Sequence, residues 1–329
     1  MSLGLVIVLF LVLCSVFING WTDAPNAIAT VVSTRVLSPR AAVLLAIVFN
    51  LLGVLIMGTA VAVTMQNLVN FGSNKEALVA LAAAQLSIVI WSVSAWKFGI
   101  PTSESHALIA GLMGAGMSYL GFDAFDPSKV MLVVYGLVIS TIFGFVSGLL
   151  ATKVVSFGFK NVKRSSANRF FSVGQICSAS LMAFTHGGQD GQKFMGVFAL
   201  ALYYGGLNDN KSIALWVMIL CSLIMGIGTS IGGYKIIKTM GLDMVKLEKY
   251  QGFSAEIAAS GLMLVATGFG IPLSTTNTKG TAMMGSAAAR RLSNVNWNIV
   301  KEMLLAWALT FPACLVMGYL MAKFFSLIF

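Results

Sequence analysis

The sequence predicts an all-α integral membrane protein built from two repeats of inverted topology. Hydrophobic residues make up 58% of the chain and charged residues only 10%, and the mean hydropathy is +0.89. A soluble core of 329 residues does not need so much apolar surface. A polar interruption and a proline-centred segment each occur twice, in the same order. These patterns predict about 10–12 membrane segments, with broken helices and two re-entrant hairpins.

The first apolar run, residues 3–34, is interpreted as a retained first span. It has no basic residue before Arg35 and no small-residue cleavage site, so it does not resemble a signal peptide. The four cysteines lie singly in apolar stretches without metal-binding spacing. The net charge of +10 comes mainly from short loops between apolar runs. We therefore expect a lipid bilayer rather than nucleic acid as partner, and no cofactor.

A polar motif at residues 20–26, GWTDAPN, interrupts this first span. A carboxylate such as that of Asp23 is costly near the middle of a bilayer, by about 2.5–3.5 kcal/mol. Pro25 loosens the helical ladder and frees backbone carbonyls. Asp23 and Asn26 supply hard oxygen donors three residues apart, as a small cation requires. A helix that simply ends in a polar turn is the alternative.

The interruption recurs in the second half, where residues 186–196 read HGGQDGQKFMG. Asp190 and Lys193 follow Asp23 and Asn26 at a fixed offset of 167 residues. A frayed helix end would not recur at such an offset. The recurrence therefore predicts a second broken span over about residues 170–206.

The second repeated segment has a proline at its centre. Residues 77–120 are apolar except around Pro101, and residues 253–290 repeat the pattern around Pro272, 171 residues later. Each pair of arms forms either two full crossings or a re-entrant hairpin, which the bilayer permits only where its tip is buried in protein or lines a wet cavity. The tips read GIPTS and GIPLS.

The remaining apolar runs complete the two halves. They are residues 41–64, 130–157, 211–231 and 300–328. We predict an N-terminal repeat over residues 1–157, a basic cytoplasmic linker over 158–169 and a C-terminal repeat over 170–329.

Orientation follows from the distribution of basic residues. With both termini outside the cell, inside loops hold 14 of the 21 Lys and Arg, as the positive-inside rule requires. We expect a multi-pass protein of the plasma membrane. The pairs Gly144/Gly148 and Gly228/Gly232 allow close helix contacts, so a homodimer is possible, although internal packing is the commoner use.

Inverted halves with Gly/Pro-interrupted helices are typical of secondary transporters, whose site lies near the midplane between the halves. Polar residues follow both prolines and would open the second arm of each hairpin. They are Ser103, Glu104 and Ser105 in the first half, and Ser274, Thr275, Thr276 and Asn277 in the second. Two facing helix N-termini with adjacent hydroxyls would form an oxyanion pocket. The alternative is that these residues only cap their helices.

The two aspartates would repel an anion unless a cation lay between them. Asp23 and Asp190 therefore indicate coupled binding of a cation and an anion. His106 and His186 could titrate or donate to the anion, although a membrane histidine often serves helix–helix hydrogen bonding.

On these motifs the chain resembles the inorganic phosphate transporter (PiT) family over essentially its whole length. The resemblance implies cation-coupled symport of inorganic phosphate, driven by Na⁺ or H⁺. Carried over by position, it implies Na⁺ at Asp23, Asn26 and Asp190, and phosphate within the hydroxyl groups of the two tips.

The sequence departs from the family pattern at several positions. Thr22 and Gln189 stand where the family usually has Asn, Glu104 stands at a small or hydroxyl position, and Asn277 replaces a common His. We group Glu104 and Gln189 with the cation ligands, Asn277 with the phosphate ligands, and Thr22, Lys193 and the two histidines as supporting residues. The carboxylate of Glu104 favours a metal cation, so we predict Na⁺ coupling with two or more ions per phosphate.

Other functions explain less of the sequence. Proton coupling and sulfate as the oxyanion are the nearest alternatives. An anion channel has no need for buried carboxylates. An aspartyl protease would use two carboxylates but not twin hydroxyl-rich hairpins or duplicated halves, so we expect no enzyme.

Overall fold

The protein is almost entirely helical. The computed structural model describes residues 2–23, 25–231 and 233–328, and within them the chain forms thirteen α-helices and no β-strand. The helices are α1 (Leu3–Thr22), α2 (Pro25–Ser33), α3 (Pro39–Ile56), α4 (Ala60–Gln66), α5 (Asn74–Phe98), α6 (Glu104–Leu120), α7 (Pro127–Gly158), α8 (Arg164–Tyr204), α9 (Leu215–Ile231), α10 (Tyr234–Lys238), α11 (Lys249–Gly268), α12 (Thr275–Ala288) and α13 (Trp297–Ile328).

The predicted all-α membrane fold is confirmed. Among the described residues, six helical segments are long and apolar enough to cross a membrane, and α9 with the bent stretch after it makes a seventh. The six are Leu3–Ser33, Pro39–Ile56, Asn74–Phe98, Glu104–Ala124, Pro127–Gly158 and Trp297–Ile328. Helices α8, α11 and α12 are outside this set and carry many of the buried polar residues.

Helices from the two halves of the chain pack against each other in matching pairs. Helix α6 packs on α13, and α12 packs on α7. In the same way α1 packs on α9, and α3 packs on α8. Buried side chains from both halves form the largest hydrophobic cluster, so the halves share one core.

Residues 41–64 do not form the uninterrupted span that we predicted. Helix α3 ends at Ile56, and α4 begins only at Ala60. Gly58 between them has φ of +80°, which glycine adopts without the steric cost of a side chain. The Gln192 side chain fills the gap, since it accepts from Val61 N at 2.9 Å and donates to the Met57 carbonyl at 3.3 Å.

The predicted break in the second polar motif is wrong, because α8 runs without interruption through residues 186–196. The first motif contains Pro25, which cannot donate to the helical ladder, and the second contains no proline. Its glycines serve close packing instead. A Cβ on Gly187 would lie 2.3 Å from the Asn50 carbonyl oxygen of α3. The small residues therefore allow the two helices to approach, and the helix stays intact.

The predicted linker is shorter than its sequence suggested. Helix α7 ends at Gly158 and α8 begins at Arg164, so residues 164–169 are already helical. Five residues, 159–163, connect the two helices. The basic segment therefore divides between a short turn and the first turns of α8.

Helices α5 and α6 form a first hairpin, and α11 and α12 form a second. Gly99 and Gly270, with φ of +71° and +67°, turn the chain at the two tips. Single antiparallel bridges, Val69 with Phe125 and Val245 with Val295, join the segments at the opposite ends. Each hairpin is therefore held together by a backbone bridge at its base, and a glycine makes the turn at its tip.

Three of the four glycines that could have formed a dimer face, Gly144, Gly148 and Gly228, pack inside the chain. A Cβ on Gly148 would lie 2.2 Å from the Ala282 carbonyl oxygen, and one on Gly144 would lie 2.9 Å from that of Thr278. Gly228 faces α1 in the same way, and Gly232 lies outside the described residues. These contacts use the described glycines for internal helix packing.

We expect Gly285→Ala to destabilise the protein by about 1–3 kcal/mol, the usual cost of overpacking. An added Cβ would lie 2.0 Å from the Phe145 carbonyl oxygen, so α7 and α12 would have to move apart. At the exposed Gly261 of α11, a Cβ would meet no atom within 4 Å, so Gly261→Ala should stabilise by about 0.5–1 kcal/mol. Melting temperatures in detergent test the contrast, and equal values would show that the α7–α12 contact can relax.

Candidate functional site

Four chain segments meet around two buried carboxylates. The break between α1 and α2 carries Asp23, and the middle of α8 carries Asp190. The N-termini of α6 and α12, at the two hairpin tips, complete the site. Both aspartates are almost completely buried, so their charges require partners inside the protein.

The Asp23 carboxylate, at the break between α1 and α2, accepts hydrogen bonds from three side chains. Asn26 and Thr276 both donate to its Oδ1, and Thr275 Oγ1 lies 3.1 Å from its Oδ2. The Asp23 carbonyl accepts from Asn26 N at 2.8 Å, which closes the turn into α2. The predicted ligands Asp23 and Asn26 therefore lie directly against the tip of the second hairpin.

Asp190 faces the same tip from α8. Its Oδ2 lies 3.0 Å from Thr275 Oγ1 and 3.2 Å from Asn19 Nδ2, and its Oδ1 lies 2.7 Å from Lys193 Nζ. His186 Nε2 lies 3.4 Å from the same Oδ2. Thr275 thus stands between both aspartates, and its single hydroxyl proton can serve only one of them at a time.

Asp23, His186 and Asp190 form a candidate cation position. One ligand atom from each lies within 4.8 Å of the others. The Oδ1 atoms of Asn19 and Asn26 are buried without a hydrogen-bond partner among the described residues, so each could act as a hard oxygen ligand. Two nearby carboxylates, with unpartnered amide oxygens beside them, suit a small cation better than an anion.

The two hairpin tips touch each other. Ser103 Oγ and Ser274 Oγ lie 2.8 Å apart. Each serine also caps its own helix, since Ser103 accepts from His106 N at 3.2 Å and Ser274 from Asn277 N at 3.1 Å. The N-termini of α6 and α12 therefore face one another, as an oxyanion pocket would require.

Two more buried hydroxyls contact charged residues near the tips. Ser105 Oγ lies 2.6 Å from Lys193 Nζ and 3.3 Å from the Leu273 carbonyl oxygen. Thr22 donates to Glu104, whose Oε2 is buried without a partner among the described residues. A cavity of about 10 Å³ lies against Glu104.

Two predicted residues lie on another face of the hairpins. Asn277 Nδ2 donates to Thr141 Oγ1 of α7 at 3.2 Å, away from the aspartates. Asn277 and His106 both line a cavity of about 360 Å³ between α7 and α13. The structure does not bring them to the carboxylates.

Gln189 holds the second hairpin rather than the candidate cation position. Its Nε2 donates to Thr267 Oγ1 at 2.8 Å and to the Ile271 carbonyl at 3.2 Å, and its Oε1 accepts from Leu273 N at 3.2 Å. Every polar atom of this amide is thus bonded to α11 or to the tip. Its contacts position the hairpin tip beside Asp190.

Asn19 is a site residue that our reading of the sequence missed. It stands four residues before Asp23 in an apolar run, and residues with that spacing share a helix face. The four-residue spacing from Asp23 could therefore have indicated Asn19 as a site residue.

Residues 19–165 and 159–318 match the phosphate transporter family. The chain belongs to the phosphate transporter family. It is 36% identical over 334 residues to a probable low-affinity inorganic phosphate transporter of Bacillus subtilis (strain 168), and the alignment covers 100% of both chains. It is 39% identical over 306 residues to a protein of the same description in Rhizobium meliloti (strain 1021), covering 92% of this chain and 91% of that one.

A solved structure has the same fold. The structure titled "The sodium-dependent phosphate transporter" superposes with a TM-score of 0.92, covers 100% of both chains and is 20% identical. This phosphate transporter family member is a multi-pass membrane protein and a transporter rather than an enzyme. The predicted resemblance is therefore confirmed.

Proposed function

We propose that this phosphate transporter family member is a sodium-coupled symporter of inorganic phosphate. The observation that carries the proposal is the contact of the second hairpin tip with both aspartates. Thr275 lies 3.1 Å from Asp23 and 3.0 Å from Asp190, and Thr276 donates to Asp23. Hydroxyls suited to phosphate therefore bond to carboxylates suited to cations.

These contacts give a physical basis for coupling. The carboxylates accept hydrogen bonds from the hydroxyls of the second tip. A cation bound between Asp23 and Asp190 would offset their charge and free those hydroxyls for an anion. Phosphate would then bind to hydroxyls and helix N-termini, which are strong donors to an oxyanion. Each ligand would raise the affinity for the other, as symport requires.

The same proposal places the site between two inverted halves, at the membrane midplane. The pairing of α6 with α13 and α12 with α7, and the meeting of the tips at Ser103 and Ser274, support this arrangement. In it, residues 1–157 and 170–329 form the two repeats. Both termini lie outside the plasma membrane, and most basic loops face the cytoplasm. The sodium dependence named for the solved structure with the same fold supports sodium as the ion.

We expect uptake of radiolabelled phosphate by proteoliposomes to follow an inward Na⁺ gradient at fixed pH, with two or more Na⁺ per phosphate. A proton gradient without Na⁺, excess unlabelled sulfate and uptake against a phosphate gradient test the remaining alternatives. Uptake that is indifferent to Na⁺ but follows a proton gradient would identify H⁺ rather than Na⁺ as the coupling ion. Strong competition by sulfate would show that sulfate is also a substrate. Flux only down a phosphate gradient would indicate a channel.

A further inference from the structure

Lys193 holds its ammonium group in a site made of three oxygen atoms. Its Nζ lies 2.7 Å from Asp190 Oδ1, 2.6 Å from Ser105 Oγ and 2.6 Å from the Leu273 carbonyl oxygen. The side chain is 1% exposed. An ammonium has three hydrogens to donate, and these three oxygens can take all of them.

The three oxygens come from three different elements of the site. Asp190 lies on α8, Ser105 on the first hairpin and Leu273 at the tip of the second. A carboxylate, a hydroxyl and a backbone carbonyl are also the donors that proteins offer to hard metal cations. The ammonium therefore occupies a position with the chemistry of a cation site, and it joins both hairpin tips to Asp190.

The other copy of the motif carries a neutral side chain at this position. Asn26 follows Asp23 at the same spacing at which Lys193 follows Asp190. Asn26 donates to Asp23 and leaves its Oδ1 without a partner among the described residues. One aspartate thus has a lysine side chain from its own helix as partner, and the other has an amide that supplies no charge.

We propose that Lys193 is a tethered cation that takes the place of one mobile coupling ion at the Asp190 side of the site. This inference rests on the proposed cation-coupled transport. Lys193 uses Asp190 Oδ1, so Oδ2 remains beside Asp23 for an ion from solution. Replacing the lysine with a neutral residue then creates a need for one additional cation for each phosphate transported.

A second buried lysine separates this role from ordinary core pairing. Lys279 is completely buried, and its Nζ lies 3.7 Å from Glu256 Oε1 and 3.0 Å from Thr30 Oγ1. None of these partners belongs to a hairpin tip. Removing a buried ion pair as a unit is often tolerated. The double variant Lys279→Met with Glu256→Gln is therefore the matched control.

The test compares Lys193→Asn with the wild type and with the Lys279/Glu256 control in proteoliposomes. Labelled sodium and phosphate fluxes give the ion ratio. In Lys193→Asn we expect the Na⁺ to phosphate ratio to rise by one, and uptake at low Na⁺ to fall by about ten- to hundred-fold and recover at high Na⁺. In the control the ratio should stay that of the wild type. An unchanged ratio in a transporting Lys193→Asn protein would overturn the proposal.

If Lys193→Asn does not transport, cation binding can be tested through its effect on the melting temperature. We expect NaCl, but not choline chloride, to restore the melting temperature of detergent-solubilised Lys193→Asn, and to have no comparable effect on the control. Equal responses would overturn the proposal. LiCl and KCl extend the test, so rescue by either cation supports the tethered cation even if wild-type uptake is indifferent to Na⁺. That indifference would by itself reject only sodium coupling.

Discussion

Asp23→Asn is expected to abolish sodium-driven phosphate uptake. The carboxylate of Asp23 lies at the helix break, accepts from Asn26 and Thr276, and shares Thr275 with Asp190. An amide removes the negative charge that offsets a bound cation and replaces one acceptor with a donor. Losing one partner of a buried charge pair costs about 2–5 kcal/mol, or about 30- to 5,000-fold in affinity. Initial rates in proteoliposomes with an imposed Na⁺ gradient measure the effect.

The paired variant Asp190→Asn should also abolish coupled uptake, although for a different reason. It leaves the Lys193 ammonium without its anionic partner, so the variant should lose more stability than Asp23→Asn. Asp209→Asn in the exposed α8–α9 loop is the control, with wild-type uptake expected. Near-normal uptake by either site variant, at equal amounts of folded protein, would remove that aspartate from the proposed site.

The sequence predicted the pairing of the aspartates because both lie in apolar runs that disfavour isolated charge. Since Asp23 and Asp190 occupy matching places in two copies, a common position in the fold was the economical explanation. The hydroxyl-rich tips followed from the same reasoning, and Ser103 and Ser274 do meet. What was predictable therefore rested on repetition and on the cost of burying polar groups.

The direction of each side chain around its helix could not be predicted in the same way. Thr276 and Asn277 are adjacent in sequence and were both assigned to phosphate. Neighbouring residues on a helix point about 100° apart. Thr276 faces Asp23 while Asn277 faces Thr141. Only the packing of α12 on α7 determines which of the two faces the carboxylates.

The continuity of α8 could not be predicted from the sequence either, because it depends on packing against another helix. Glycines alone are compatible both with a break and with close helix packing, and only the partner helix decides between them. Gly187 lies against the backbone of α3, so the helix continues. The 20–26 motif differs because Pro25 removes a backbone donor whatever its surroundings. Local chemistry therefore predicted the first break correctly and the second wrongly.

Ser105→Ala and Thr276→Ala, at mirrored positions 171 residues apart, are expected to weaken phosphate binding by about ten- to hundred-fold. Each hydroxyl belongs to the second residue of its helix and contacts a charged group, Lys193 or Asp23. Neither hydroxyl is the N-cap of its helix, since Ser103 and Ser274 have that role. A hydrogen bond to a buried oxyanion is charge-assisted, so its loss falls on affinity. Equilibrium binding of labelled phosphate at saturating Na⁺ measures it.

The cap residues provide the comparison that separates anion binding from helix stability. Ser103→Ala should cost about 1 kcal/mol of stability through the lost N-cap, in addition to any effect on phosphate. Ser105→Ala and Thr276→Ala remove no N-cap, although each takes one hydrogen-bond partner from a buried charged group, Lys193 or Asp23. Lys97→Gln, on the exposed end of α5, should leave the affinity for phosphate unchanged. If the Ser105 and Thr276 variants instead melt earlier and bind phosphate normally, the hydroxyls stabilise the tips, and the anion binds elsewhere.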